Sequence, residues 1–486
     1  QWNRVCRGID LPMDFIAINN PDPLKKTICV IAEGSYPYIT GGVSAWIQDI
    51  ISGLSNYNFI ILAISAEEDE PKYKFPPNVI GLVNKLLTAP VEKPKKKIHK
   101  TFFTTIESFH NDIMQKKDFS KFKDIFAFIN NNRYESSSLQ RHITSFKIVT
   151  QYYSIRNPLY QFSDYFWAWR ASHEYMMKIM TWDFPQADLY HPISTGYAGF
   201  AAVCAKIKYK KPVILTEHGL YNKEREIDIK RATWVKGYQR DMWINIFNDL
   251  STITYNYADL VVSLFEANRN IQISQGAKRE KTMVIPNGIE IERYLHLKRH
   301  SKEEFSIGIV ARVVPIKDIK TFIIMAKIVA ESIPEVKFYI IGPTDEDEEY
   351  YKDCIKLVEN FQIQDKVIFT GKADVREYYR FLDVVVLSSI REAQPLVILE
   401  AYAAGIPVVS TRVGNVPEML DYDENLLADP KDSEKLAQAV IYLYNNPQYL
   451  KKLTEQNKVK VTQFYNKNDL IATYDNLYKN HIDSYH

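Results

Sequence analysis

Val384-Val385-Val386-Leu387 is an apolar, β-branched run, and after a short polar turn Arg391-Glu392-Ala393-Gln394-Pro395-Leu396-Val397-Ile398-Leu399-Glu400 opens a helix. A buried strand that hands over to a helix in this way is the repeating unit of a parallel sheet wrapped by helices. The same rhythm surrounds it, through Phe305 to Val310, Lys320 to Ser332, Val336 to Ile341, Tyr350 to Asn360, Lys366 to Phe369, Val375 to Phe381 and Pro407 to Ser410. Residues 296–463 therefore read as a doubly wound α/β domain.

The first half alternates in the same sense, with Thr27 to Ala32 followed by Val43 to Leu54, Asp188 to His191 followed by Tyr197 to Lys206, and then Pro212 to Thr216. The boundary is expected after Ile285-Pro286-Asn287-Gly288, where a strand ends in a turn and the polar, basic stretch Glu290 to Ser301 follows. This gives a first Rossmann-like domain over 24–295. Between Lys72 and Arg156 the alternation fades into Lys-, Phe- and Asn-rich sequence, which predicts a helical insertion over about 72–156. Its basic run Lys93 to Lys100 reads as a solvated loop. Gln1 to Pro23 shows neither a signal-peptide pattern nor helical periodicity and reads as a leader or trimmed start.

With 486 residues, 46% of them hydrophobic, the chain has material for two buried cores. The 61 Lys and Arg against 59 Asp and Glu leave a formal charge of +2, which gives no general attraction to nucleic acid or anionic lipid. An anionic ligand must be held locally. Cys6, Cys29, Cys204 and Cys354 are too scattered for a zinc or redox motif and fit a reducing cytosol. The longest apolar run, around Gly199 to Ala205, ends at Lys206, well short of the roughly 18 residues of a membrane span.

Four constellations lie at strand ends, where open α/β sheets bind ligands. Glu392, in a loop, and Glu400, about two helical turns further on, are placed to accept hydrogen bonds from vicinal hydroxyls of a sugar and a ribose, while the N–H groups at this helix start suit phosphate. The same carboxylates also fit an ordinary helix start with its dipole complemented. Arg312 and Lys317, after the domain's first strand, can neutralise a diphosphate. Gly41-Gly42, between a strand and its helix, lets backbone approach a phosphate but lacks the dinucleotide fingerprint, which disfavours a nicotinamide or flavin enzyme. His218, in Thr216-Glu217-His218-Gly219, ends a strand and points to the same edge.

Together these residues resemble the retaining glycosyltransferases of the two-Rossmann-domain type, GT-B, in family GT4. The spacing from Glu392 to Glu400 is similar to that family's paired-glutamate motif. Further phrases carry a likeness to the transferases of Pel-like exopolysaccharide synthesis: Ala32 to Tyr38 through Gly42-Val43-Ser44, Ser163 to Trp167, Ser194 to Gly199, Thr216 to Gly219 and Ile285 to Ile289. The resemblance implies two Rossmann-like domains facing a central cleft, an acceptor-side domain over 24–295, a nucleotide-sugar domain over 296–463 and a last helix, 464–486, that returns to the first domain.

It also implies roles. Glu400 would hold the ribose hydroxyls and Glu392 a hydroxyl of the donor sugar; Arg312 and Lys317 would grip the diphosphate and Gly41-Gly42 would close over it. His218 would lie beside the sugar, and Gly371 to Val375, with Lys372, would flank the base. Asn287, Gln394, Pro395, Leu396 and Val397 complete the expected substrate-binding set. His218, Arg312, Lys317 and Glu392 are the expected catalytic residues. The implied reaction moves a hexose from a UDP-sugar, UDP-glucose favoured, to a polysaccharide acceptor. It takes place in the cytoplasm or at the inner face of the membrane through a membrane-embedded synthase partner. No Asp-x-Asp triplet stands at a strand end in the expected cleft, so neither an obligatory metal nor another cofactor is expected. Two rivals share the architecture: a nucleotide-sugar epimerase or phosphorylase, and a non-catalytic subunit that senses the nucleotide sugar.

Overall fold

The computed structural model describes residues 11–67, 69–90, 98, 100–141, 143–156, 161–233, 235–300 and 303–485. The chain divides into two compact units, Gln1–Ile285 with Thr473–His486, and Pro286–Ala472.

In the second unit six strands, β9 (Phe305–Val310), β10 (Val336–Ile341), β11 (Val367–Gly371), β12 (Val384–Leu387), β13 (Val408–Thr411) and β14 (Leu427–Ala428), form one sheet in the order β11-β10-β9-β12-β13-β14. Every pairing is parallel. β12 and β13 are buried throughout, as strands covered on both faces must be. Ile319–Ser332 and Leu396–Ala403 pack onto the sheet through Phe322, Met325, Ile398 and Leu399, all fully buried. β9, β10 and β12 fall on the residues predicted from the sequence, because their β-branched runs are punctuated at both ends.

The first unit carries the same winding. β2 (Thr27–Glu33), β3 (Asn58–Ser65), β4 (Val79–Leu86) and β5 (Leu189–Pro192) lie in the order β4-β3-β2-β5, all parallel. β6 (Ile214–Glu217), β7 (Leu260–Ser263) and β8 (Thr282–Val284) form a second parallel sheet, and a bridge between Tyr190 and Val213 joins the two edges. Tyr197–Tyr209 is buried from Tyr197 to Ala205, which explains why the most apolar run of the chain is a core helix.

The structure departs from the sequence reading in three places. The predicted insertion over 72–156 contains β4, whose last residues Asn84, Lys85 and Leu86 are only partly buried and blur the apolar signal; helices begin at Lys100 and continue to Ile179. Most of the basic run Lys93 to Lys100 lies outside the described residues. Part of the supposed leader is structural: β1 (Phe15–Ala17) pairs antiparallel with β4 and covers that edge. The division between units falls at Ile285/Pro286, against 295/296 from the sequence. The reason is local, since Ile289 exchanges backbone hydrogen bonds with Tyr465 and Lys467, and Lys467 pairs with Glu290. The return falls inside the helix Lys467–Ser484, between Ala472 and Thr473.

Gly342 ends β10 at φ +152°, a conformation nearly confined to glycine, and a Cβ there would overlap the Ala311 carbonyl. Gly371 ends β11 at φ +66° with open space around it. Gly371→Ala is expected to cost strain alone, about 1–2 kcal/mol, and Gly342→Ala to cost more because backbone must move. Denaturant midpoints for the two variants check this; a smaller loss for Gly342→Ala would refute the contact.

Candidate active site

In the second unit the strand order reverses between β9 and β12, so the loops that follow them diverge and leave a crevice at their carboxyl ends. The sequence places Arg312 and Lys317 after β9 and Glu392 after β12. Tertiary hydrogen bonds stitch the two loops together. Ser388 Oγ donates to the carbonyls of Lys317 and Asp318, at 3.0 Å each, and Ile390 N–H donates to the Ile316 carbonyl at 2.9 Å. Across this seam Lys317 Nζ meets Glu392 Oε1 at 2.5 Å, and Ser389 Oγ donates to the same oxygen at 2.7 Å. The side chains of this pair are 21% and 13% exposed, enough shelter for each charge to matter to the other. Gly414, at φ +52°, allows the Glu392 loop to approach, because a Cβ there would overlap the Glu392 and Ala393 carbonyls.

Arg312 stands apart from this pair. Its guanidinium is half exposed and engages Glu346, so any role in gripping phosphate requires that partner to be exchanged. Glu400 lies on the helix Leu396–Ala403, largely buried, and is hydrogen-bonded by the hydroxyls of Tyr379, at 3.4 Å, and Tyr294. Burial raises its carboxyl above the ordinary range, an effect that the two tyrosines partly oppose. Pro395 precedes this helix with no side-chain cap, so the Leu396 and Val397 N–H groups form an open, electropositive helix start.

Several polar atoms around these loops are buried without a hydrogen-bond partner among the described residues: Arg391 Nη1, Gln394 Nε2, Asn287 Oδ1 and Asn415 Oδ1. Gln394 uses only its Oε1, which accepts from Asn287 N–H at 2.8 Å. Such groups each cost about 1–3 kcal/mol unless something polar meets them. Two of the four, Arg391 Nη1 and Gln394 Nε2, stand on the loop from Ser388 to Pro395, which leaves that loop with hydrogen-bonding capacity that its own packing does not use. Lys372 is exposed on the loop after β11. Beside that loop Arg293, Tyr294, Asp374, Val375 and Arg376 line a recess of about 450 Å³.

The first unit has its own reversal, between β2 and β5. Gly41 and Gly42 open the helix Gly42–Gly53 after β2, exposed, with nothing above either and no side-chain cap. Glu33 fills the switch point: its carboxyl accepts from Tyr221 Oη at 2.6 Å and from Ala198 N–H at 3.2 Å, and burial raises its pKa. His218 follows β6, buried edge-on against Trp46 at 4.7 Å between ring centroids. Burial pushes its imidazole down to about 4, and its Nε2 has no partner among the described residues. It is thus a neutral hydrogen-bonding group near neutral pH, not a cation. Behind it His191 bonds Tyr478 Oη at 2.5 Å and Thr216 Oγ1 at 2.8 Å.

Tyr294, Tyr379, Ser389 and Glu33 are not among the residues that the sequence analysis singles out. Tyr294 and Tyr379 are far from Glu400 in the chain, and only the fold brings them to it. Glu33 stands at a strand end inside the phrase Ala32 to Tyr38, and Ser389 stands in the turn between Leu387 and Arg391, so position relative to a strand end is the sequence signal for both.

Because Glu400 has a raised carboxyl in the folded protein, the folded state binds its proton more tightly than the unfolded chain. Its stability contribution is whole below the ordinary value of 4.5 and is lost as pH rises through the folded value. Glu400→Gln should therefore raise the melting temperature at pH 7.5 and leave it nearly unchanged at a pH below 4.5. A gain of equal size at both pH values would contradict the buried-carboxylate assignment.

Comparison with known proteins fits this geometry. Residues 26–280 match the family described as "Domain of unknown function (DUF3492)", and residues 292–474 match "Glycosyl transferases group 1". The N-acetyl-alpha-D-glucosaminyl L-malate synthase of Bacillus anthracis is 25% identical over 47% of this chain, and the alpha-monoglucosyldiacylglycerol synthase of Streptococcus pneumoniae 27% identical over 50%. The chain spans 58% and 54% of the length of these two relatives. Among solved structures, the sucrose-phosphate synthase of Thermosynechococcus elongatus superposes with a TM-score of 0.60 at 16% identity, covering 94% of this chain and 99% of that one. HepE of Anabaena in complex with UDP gives 0.59 at 16%, covering 94% and 100%. At that identity the two structures speak for the fold alone, the α/β GT-B fold with two Rossmann-like domains. The chain belongs to the DUF3492 family through residues 26–280, and its residues 292–474 are similar to the group 1 glycosyl transferases.

Proposed function

We propose that the protein is a retaining, PelF-type glycosyltransferase of family GT4 that moves a hexose from a UDP-sugar, UDP-glucose favoured, to a growing exopolysaccharide in the cytoplasm, working with a membrane-embedded synthase. The observation that carries the donor assignment is the seam at the β9/β12 reversal, where Lys317, Glu392 and an uncapped helix start lie within one pair of stitched loops. A diphosphate matches the cation and the helix start; sugar and ribose hydroxyls match Glu392 and Glu400. HepE of Anabaena, of the same fold, has been crystallised with UDP and with UDP-glucose, which supports the choice of nucleotide.

The chemistry follows from charge. As the bond from sugar to diphosphate breaks, negative charge grows on the leaving phosphate, and Lys317 with Arg312 would absorb it. Fixed groups of this kind are each worth on the order of 3 kcal/mol of barrier. Retention is read as front-face departure, with the leaving phosphate helping to take the acceptor's proton. With two cations on the diphosphate, no metal is needed.

UDP binding, followed by calorimetry, should fall roughly ten- to a hundredfold in Lys317→Ala and in Arg312→Ala, with the same wild-type affinity in the presence of a chelator. Lys317→Ala also leaves Glu392 sheltered and unpaired, so the double variant Lys317→Ala/Glu392→Gln should recover stability relative to Lys317→Ala. Unchanged affinity in both single variants would sink the diphosphate assignment, and metal-dependent binding would sink the metal-free one.

The two glutamates should separate by the part of the donor each touches. Glu400→Gln is expected to weaken UDP itself, because the ribose is present in product and donor alike. Glu392→Gln is expected to lower turnover of UDP-glucose without weakening UDP, whose affinity should stay level or rise because Lys317 is released from its pair. Titrations with UDP beside steady-state rates on folded variants make the comparison. Loss of UDP affinity in Glu392→Gln as large as in Glu400→Gln would reverse the donor's direction along the loops.

A further inference from the structure

Three helices of the predicted insertion, Lys100–Lys116, Phe122–Asn132 and Ile143–Arg156, together with Phe162–Ile179 and Gly237–Tyr257, surround a cavity of about 430 Å³ in the first unit. Its floor is apolar and shut off from solvent, with Phe122 3%, Ile125 4% and Leu250 1% exposed. Trp169, stacked on His173 at 4.1 Å, stands in one wall. The rim is different in kind: Asp241 and Asn245, one turn apart on Gly237–Tyr257, are exposed and hydrophilic.

Interiors are otherwise close-packed, and a void of this size forfeits the contacts its walls would make. It is far larger than the ~150 Å³ apolar cavity that stays dry and accepts benzene, and it falls within the roughly 300–1,000 Å³ range of small-molecule sites. The two histidines in the lining do not supply charge, since burial pushes His110 down to about 4 and His173 down to about 3. The lysine beside the rim, Lys117, is engaged by Asp249 at 2.8 Å. An anionic head at this mouth would meet carboxylates and no open cation among the described lining residues, whereas hydroxyls would find the acceptors of Asp241 and Asn245.

We propose that this cavity binds the hydrocarbon chain of a single-chain amphiphile whose uncharged, hydroxyl-bearing head sits at the Asp241–Asn245 rim. The site lies wholly within the first unit and is independent of the donor assignment.

The probes are alkyl maltosides from octyl to dodecyl, titrated below micelle formation against the full chain, with maltose as the head alone and laurate as the anionic chain. Affinity is expected to rise about fourfold per added methylene until the cavity is filled, maltose to give no signal, and laurate to bind at least about tenfold more weakly than dodecyl maltoside, because its head meets like charge. Met177→Trp and Ile113→Trp, which fill the cavity, should weaken dodecyl maltoside by about tenfold or more, with an unchanged circular dichroism spectrum and a cooperative melting transition as proof of folding. A bromine-bearing chain should quench Trp169 in the wild type, a signal absent from Trp169→Phe; this reading stands even if the filled variants fail to fold. Affinity indifferent to chain length, laurate as tight as the maltoside, binding undiminished in folded filled variants, or no saturable binding at all would each overturn the proposal.

Discussion

Everything at the candidate site of the second unit depends on one topological constraint, the reversal of strand order between β9 and β12. Helices leave these strands on opposite faces of the sheet, so their loops part and neither fills the space above the strand ends. The protein then closes the gap only partway, with Ser388 bonded to the Lys317 and Asp318 carbonyls and Ile390 to Ile316. What remains is a seam with a lysine on one lip and a glutamate on the other. Gly414 is part of the same device, since any side chain there would push the Glu392 loop away.

Charge is handled differently in the two units. In the second unit Lys317 and Glu392 neutralise one another, and a diphosphate would replace one anionic partner of the lysine by another. In the first unit the carboxylates at the strand ends are satisfied internally: Glu33 by Tyr221 and Ala198, Glu217 by Tyr255, Gln272, Thr195 and the Tyr221 amide. Burial raises both carboxyls, so these networks are bought with stability and are rigid for that reason. They hold the loop that carries His218 and the start of the helix Tyr197–Tyr209 in fixed positions.

The last helix serves the first unit from the far end of the chain. Tyr474 and Tyr478 are buried there, bonded to Thr216 and His191, and Trp46 packs edge-on against His191, His218 and Tyr474 alike. His218 therefore rests on a stack whose members come from three distant stretches of sequence. Its neutrality is a property of that stack and not of the residue.

The sequence by itself determined the winding of the second unit, because short apolar strands between punctuated helices leave few alternatives, and it determined which strand ends carry Arg312, Lys317, Glu392 and Glu400. It also singled out His218 and Gly41-Gly42 as residues at strand ends. Only the tertiary structure decided that Lys317 pairs with Glu392 while Arg312 turns to Glu346, since ion pairing depends on where side chains converge in space. Tertiary structure alone also surrounded Glu400 with Tyr294 and Tyr379, drew β4 out of a stretch that reads as helical insertion, and left a cavity among the helices beyond it. Local periodicity reports which face of an element is apolar. It carries no information about which distant residue will cover that face, or whether anything will.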